Sequence, residues 1–195
     1  MSRHSQPQTT KYPHYADEDP AITFKDRGLH TALLFSPTAP SLALRGLTKA
    51  DVPTLVKLLA THEDYLSALP SALPSHVTIQ PLPGKDLFVC AHASRDIRCK
   101  TCGPPLVGWL KEEASKGGKG EEEVRVWPSS HVGGHVHAGN VLVFPSGDWY
   151  GQVNDPAKAQ SVLEKEGVEA DLKKLWRGRM GMSQMLQDEL VSGGK

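Results

Sequence analysis

Two groups of side chains that bind metals lie in the second half of the sequence. Three cysteines, Cys90, Cys99 and Cys102, fall within thirteen residues, and the segment SSHVGGHVHAGN (129–140) carries three of the chain's nine histidines. His131 and His135 are four residues apart with two glycines between them, which does not suit an ordinary helix. Thiolates and imidazoles are ligands that zinc and iron–sulfur clusters accept. The sequence therefore predicts a metal ion or a metal cluster held by both groups.

Spacing alone leaves three kinds of chemistry open. A C-x2-C pair followed by an H-x3-H pair has the residue types of a tetrahedral zinc site in an interaction domain, although the interval between the pairs is longer than in a zinc finger. A [2Fe-2S] cluster with two thiolates on one iron and two imidazoles on the other uses the same residue types. Cys99 and Cys102 could instead form the redox pair of a thioredoxin-type thiol–disulfide oxidoreductase, because a C-x2-C at a helix start lowers a thiol pKa.

The composition narrows the classes of partner and compartment. Acidic and basic side chains balance at 22 each, so we expect neither nucleic acid nor an anionic membrane as a partner. The longest apolar runs are much shorter than the roughly 20 residues that span a bilayer. The odd, clustered cysteines without a signal peptide argue against a secreted disulfide framework and favour the cytoplasm. The alternative is mitochondrial, because the first sixteen residues lack acids and contain Arg3 and Lys11.

The first part of the chain must be organised separately from the metal ligands. We predict a disordered tail over 1–20, a small and partial α/β region over 21–80, and the main domain over 81–195. Within the small region the apolar pattern predicts a strand over 30–39, a helix over 47–69 and a short strand HVTIQ in a proline-rich linker.

The main domain has clearer start and stop signals. DLFVCAH (86–92) predicts a buried strand, with Cys99 and Cys102 on the loop that follows it. GPPLVGWLKEEA (103–114) predicts a helix with prolines in its first turn, and the charged segment 111–123 predicts a surface loop. Three strands, a helix capped by Asp155 with Pro156 at its first position, and a glycine-interrupted helical region over 169–190 follow. This order favours a small α/β sandwich of thioredoxin-like type.

Several of these segments together resemble the sucrase/ferredoxin-like family. They are CAHASRDIRC (90–99), the GP-x-L helix after it, SSHVGGHVHAGNVLVFPSGDWYG (129–151) and LWRGRMG (175–181), and the resemblance covers roughly residues 84–182. It implies a C-terminal thioredoxin-like ferredoxin domain with a bis-histidinyl [2Fe-2S] cluster. In that reading Cys90 and Cys99 bind one iron and His131 and His135 the other, and Zn²⁺ is the alternative metal. Cys102 matches no ligand position of the family.

The resemblance implies an electron carrier without a substrate of its own, working with a redox partner protein that the sequence does not identify. Neutral imidazoles in place of two thiolates raise the reduction potential of a [2Fe-2S] centre, from roughly −400 mV to about −150 to +300 mV in Rieske centres. Each imidazole keeps a second nitrogen that can lose a proton, so we expect proton-coupled electron transfer. We expect five nearby side chains to orient or tune the ligands: Arg95, Asp96, Arg98, His137 and Asn140.

Overall fold

The computed structural model describes residues 28–36, 39–61, 65–92, 96–118, 120, 123–169 and 171–193. The described residues form a mixed α/β structure that divides into two compact units, one within 28–33 and 43–80 and the other within 34–42 and 81–193. Among them no helix is both long and apolar enough to span a bilayer. The predicted features that lie partly or wholly outside the described residues are the tail over 1–20, Arg95, and parts of the segments 30–39, 47–69, 111–123 and 169–190.

The first unit contains a three-stranded sheet and two helices. The sheet has the order β1–β2–β3, and Leu44 and Leu47 of β2 are buried together with Leu55 and Leu58 of the first helix. The segment predicted as one helix over 47–69 contains two. The elements are β1 (His30–Leu34), β2 (Leu42–Leu47), α1 (Val52–Thr61), α2 (Tyr65–Ala72) and β3 (Thr78–Pro81).

The second unit contains a five-stranded sheet with the order β5–β4–β6–β7–β8. Apolar side chains of its strands form one core with those of two helices, such as Leu106 of α3 and Val162 of α4. The elements are β4 (Lys85–Cys90), α3 (Ile97–Lys116), β5 (Val124–Ser129), β6 (Val141–Phe144), β7 (Asp148–Tyr150), α4 (Pro156–Glu164), β8 (Trp176–Arg179) and α5 (Gln184–Ser192).

The strand directions of the second unit confirm the predicted thioredoxin-like fold class. β4 and β5 are parallel and joined by α3, whereas β6 is antiparallel to β4 and β7 is antiparallel to β6. The unit is therefore a β-α-β crossover followed by a β-hairpin and a helix, and the first strand of the crossover, β4, lies between β5 and β6. The apolar strand residues of this unit that are completely buried, Leu87, Val89 and Val141, lie on β4 or on its neighbour β6. The loops that leave the same end of β4 and β5 are thereby brought together.

The predicted start of the helix over 103–114 is wrong. α3 begins at Ile97, so Cys99 and Cys102 lie in the helix and not on a loop, and it continues to Lys116 into the segment predicted as a surface loop. Asp96 determines the start, because its side chain accepts a hydrogen bond from the Arg98 backbone N–H at 2.9 Å and caps the helix. Pro104 and Pro105 lie inside the helix and do not mark its first turn.

The prediction of a helical region over 169–190 is also wrong in its first part. Trp176–Arg179 is strand β8, and only the later residues form a helix. The strand forms because Trp176 and Arg179 both donate hydrogen bonds to the buried carboxylate of Asp148 on β7, at 2.8 and 2.9 Å. Helix α4 begins as predicted, with Asp155 as its cap and Pro156 first, and it ends at Glu164.

Candidate metal centre

Cys90 lies at the end of the interior strand β4 and is 1% exposed. Its backbone N–H donates to the carbonyl oxygen of Asn140 at 3.0 Å, so the strand end is tied to the last residue of the histidine segment. Helix α3 packs directly against this strand end, because a Cβ atom on Gly103 would lie 2.4 Å from the Cys90 carbonyl oxygen. Glycine at position 103 therefore allows the helix that carries Cys99 to approach Cys90.

Cys99 lies in the first turn of α3 and is also 1% exposed. Burial raises the pKa of its thiol to about 11, and the hydrogen bond and charge of Cys90 and the charges of Asp96 and Cys102 add to the rise. A thiol with a raised pKa is a poor nucleophile near neutral pH. The position of Cys99 therefore disfavours the thioredoxin-type oxidoreductase, and a bound cation is what would favour its thiolate.

The loop from β5 to β6 brings a histidine to the two thiols. The sulfur atoms of Cys90 and Cys99 and a ring nitrogen of His131 all lie within 4.8 Å of one another. His135 is outside this group of three, but its ring lies 5.4 Å from the ring of His131, centroid to centroid, with 30° between the two planes. The four residues predicted as ligands thus lie at the same end of the sheet.

The ring nitrogens of this loop suit a site that holds a cation. Among the described residues, the buried Nδ1 atoms of His131, His135 and His137 have no hydrogen-bond partner in the protein. A buried polar atom without a partner destabilises a fold by about 1–3 kcal/mol, so such atoms call for an ion or a water. Two buried thiols and two imidazoles with open nitrogens fit the ligand types of an iron–sulfur or zinc centre.

Asn140 holds the backbone of the histidine loop through hydrogen bonds from its buried side chain. Its side chain is fully buried, and its amide Nδ2 donates to the carbonyl oxygens of Gly134 at 3.1 Å and Gly133 at 3.5 Å. Its Oδ1 accepts a hydrogen bond from Nε1 of Trp149 at 3.0 Å. The prediction that Asn140 lies near the ligands agrees with this contact. Trp149, by contrast, gave no sign from the sequence of a link to the loop.

The two glycines of the loop have left-handed backbones, with φ of 89° at Gly133 and 56° at Gly134. A Cβ atom on Gly134 would lie 2.5 Å from the indole ring of Trp149, whereas one on Gly133 would meet no atom within 4 Å. The backbone N–H of His137 then donates to the Gly134 carbonyl oxygen at 2.8 Å and closes a short 3₁₀ turn over His135–His137. The glycines allow this reversal between the two candidate ligands.

Asp96 and Arg98 form a two-point ion pair beside His135. The Nε and Nη2 atoms of Arg98 donate to the two carboxylate oxygens of Asp96, each at 2.9 Å. These bonds and the backbone bond from Arg98 hold the pKa of the Asp96 carboxyl well below its usual range. Oδ2 of Asp96 also lies 4.0 Å from Nε2 of His135. A carboxylate that stays negative therefore faces the outer nitrogen of a candidate ligand.

His137 and Cys102 lie near the group but outside it. The carbonyl oxygen of His137 accepts a hydrogen bond from the Gln152 N–H at 2.9 Å, which ties the 3₁₀ turn to the segment after β7. Cys102 is half-buried, one helical turn after Cys99. Neither residue belongs to the group of three donors within 4.8 Å of one another.

The model of the sucrase/ferredoxin-like family matches residues 10–178, which is most of the chain. The chain belongs to the sucrase/ferredoxin-like family. The resemblance inferred from the motifs is thereby confirmed.

Curated relatives match about half of this sucrase/ferredoxin-like chain. The altered inheritance of mitochondria protein 32 of Debaryomyces hansenii is 38% identical over 104 residues, which are 50% of this chain and 37% of that protein. The protein of the same name from Clavispora lusitaniae is 38% identical over 100 residues, which are 49% of this chain and 35% of that protein. The chain therefore spans about a third of the length of these relatives.

Among solved structures, the chain is similar to a thioredoxin-like [2Fe-2S] ferredoxin from Aquifex aeolicus. The match has a TM-score of 0.42 and 19% sequence identity, and it covers 52% of this chain and 99% of the ferredoxin.

Proposed function

We propose that this sucrase/ferredoxin-like chain binds a [2Fe-2S] cluster through Cys90, Cys99, His131 and His135 and serves as an electron carrier. The observation that carries the proposal is the approach of two buried thiols and the His131 ring nitrogen to within 4.8 Å of one another. The neighbouring ring of His135, 5.4 Å from that of His131, supplies a fourth donor. When bound, the cluster supplies one-electron chemistry at a potential set by its ligands.

The protein's own part is to fix the donors and to control their surroundings. Gly103 lets the two cysteines meet, and Asn140 with Trp149 fixes the loop that carries the two histidines. The carboxylate of Asp96 near Nε2 of His135 favours a proton on that nitrogen, which leaves the buried Nδ1 of the ring as the metal-binding atom. Nε2 of His135, which faces Asp96, is then the nitrogen from which a proton would be lost in proton-coupled transfer.

Metal and sulfide analysis of the purified chain tests the proposal. We expect about two irons and two acid-labile sulfides per chain, visible absorption, and an electron paramagnetic resonance signal after one-electron reduction. A colourless protein with one zinc ion per chain would refute the cluster and support the zinc-stabilised alternative. Iron without sulfide would refute both.

The compartment is a separate proposal. The shared name of the two relatives concerns the inheritance of mitochondria, which supports the mitochondrial alternative over the cytoplasmic prediction. Fractionation of cells that express the chain with a C-terminal tag tests this. Recovery with mitochondrial markers and protection from added protease is the expected result, and recovery with cytosolic markers alone contradicts it.

A further inference from the structure

Two exposed apolar side chains flank the candidate metal centre. Ile97 is 68% exposed and Val136 is 67% exposed, which places both among the most exposed large apolar residues of the described part of the chain. Ile97 follows Asp96 and Val136 follows His135, and the side chains of Asp96 and His135 approach to 4.0 Å. The buried core of a protein–protein contact is apolar and poor in charged side chains, so these two exposed residues suit the centre of such a contact.

The same face has an excess of positive charge. The segments 97–110 and 129–140 contain no acidic residue, whereas the first contains Arg98 and Lys100 and the second three histidines. Asp96 and Arg98 neutralise each other in their ion pair, so the exposed Lys100 leaves the face positive. The amino end of α3 adds partial positive charge. A diferric cluster with two sulfides, two thiolates and two neutral imidazoles has no net charge, so it does not offset this.

We propose that the face formed by Ile97, Lys100, His135 and Val136 is the docking surface for an acidic electron-transfer protein. This inference rests on the proposed cluster. The apolar pair excludes water at the centre of a small contact, and Lys100 attracts acidic side chains of the partner. The side chain of His135 is 40% exposed, so the edge of the centre lies within this face. One electron passes from the partner's reduced cofactor to the oxidised cluster, and no bond is made or broken.

Rapid-mixing kinetics with the full chain test the docking surface. The probe is a reduced plant-type ferredoxin, an acidic one-electron donor whose potential lies below that expected for histidine ligation. We expect its second-order rate constant to fall as ionic strength rises. Lys100→Glu should lower the constant about tenfold at low salt, within the usual range of electrostatic steering. Val136→Ser should lower it several-fold at every ionic strength.

Two matched variants separate this face from the rest of the surface. Lys111→Glu makes the same change of charge about 16 Å further along α3, and Val56→Ser shortens an apolar side chain that is 58% exposed on α1. Both should keep the wild-type rate constant. If Lys111→Glu slows the reaction as much as Lys100→Glu, the effect belongs to net charge and the docking surface is refuted.

With the cationic oxidant tris(phenanthroline)cobalt(III), Lys100→Glu should change the rate constant in the opposite direction. Lys100→Glu should speed its oxidation of the reduced chain, because the face then attracts cations. Absorption and paramagnetic resonance spectra come first in every variant. A wild-type chain without a cluster refutes the proposed function, whereas intact clusters with unchanged rates in Lys100→Glu and Val136→Ser refute the docking surface alone.

Discussion

The indole N–H of Trp149 donates to Oδ1 of Asn140 at 3.0 Å, and this bond joins strand β7 to the histidine loop. Asn140 uses the other side of the same amide to hold the carbonyl oxygen of Gly134. One buried amide therefore fixes the backbone between His131 and His135 relative to the sheet. The geometry of the candidate ligands depends on a residue that is not itself a ligand.

Trp149→Phe should disturb the loop without disturbing the fold. The substitution leaves Oδ1 of Asn140 buried without its donor, which destabilises the protein by about 1–3 kcal/mol. We expect a shifted paramagnetic resonance signal and a lower free energy of unfolding in urea. Trp109→Phe, a similar truncation of a half-buried residue on α3, is the control. If both variants keep the wild-type signal, the hydrogen bond between Trp149 and Asn140 has no influence on the ligands.

Gly134→Ala should reduce cluster content much more than Gly133→Ala. Both residues have positive φ, so both substitutions strain the backbone, by about 1–2 kcal/mol for a left-handed residue. Only the methyl group on Gly134 meets the Trp149 ring, at 2.5 Å. Iron and sulfide analysis of the two variants measures the difference. Equal cluster content in the two variants would mean that contact with the ring is unimportant.

The three cysteines should differ in their effect on the cluster. Cys90→Ser and Cys99→Ser each remove a buried sulfur of the donor group, so we expect loss of most of the visible absorption. Cys102→Ser should keep iron, sulfide and the spectrum, because this half-buried thiol lies outside that group. Loss of the cluster in Cys102→Ser alone would place the ligand set elsewhere on α3.

The histidines should set the potential of the cluster. The double variant His131→Cys with His135→Cys replaces two neutral ligands by thiolates, so the potential should fall by a few hundred millivolts, toward roughly −400 mV. The pH dependence of the potential should also disappear, because the cluster no longer has imidazole ligands that can lose a proton. Redox titration followed by visible absorption measures both quantities. Unchanged values would show that neither histidine is a ligand.

Asp148 should make the stability of the second unit depend on pH. Burial raises the pKa of its carboxyl. Hydrogen bonds from Arg179, Trp176 and Ser146 together lower this pKa by more than burial raises it, so the pKa lies below the usual 3.8. A group with a lowered pKa stabilises the fold above its unfolded pKa, and that contribution is lost as pH falls from about 4 toward the folded pKa.

Asp148→Asn should therefore destabilise the chain by about 3–5 kcal/mol at pH 7, because Arg179 loses its partner in a buried pair. The difference from the wild type should shrink below about pH 4, where the wild-type carboxylate is progressively protonated. Urea unfolding at a series of pH values measures it, with the exposed Asp188→Asn as the control. A difference independent of pH would contradict the ionised pair.

Local sequence signals predicted the position of Cys90 but not that of Cys99. The apolar run DLFVC is long enough to mark a buried strand, and Cys90 lies at its end as expected. The start of α3 was predicted six residues too late, because Pro104 and Pro105 suggested the first turn of a helix and the cap at Asp96 was not recognised. Proline inside a helix is uncommon enough that the pattern favoured the wrong boundary.

Contacts between distant residues account for the rest of what the sequence did not predict. Strand β8 forms because Trp176 and Arg179 reach Asp148, which lies 28 residues before Trp176. The brace between Asn140 and Trp149 likewise needs the β6–β7 hairpin to exist before the two side chains can meet. The predicted ligand set came from the resemblance to the family, because the spacings of cysteine and histidine alone fit zinc and a cluster equally well.

The histidine loop begins at the end of β5 and returns at the start of β6, and both of these strands pair with β4. The pairing of β4 with these strands therefore uses no residue between 130 and 140, although the Asn140 carbonyl oxygen accepts a hydrogen bond from the Cys90 N–H and belongs to the framework. Under the proposed cluster, the histidine loop sets the redox potential, whereas β4 and α3 supply the two cysteine ligands. The loop could therefore be exchanged while the cysteine ligands stay the same. Loops transplanted between members of the family at these two strand ends would give a series of carriers graded in potential on a single framework.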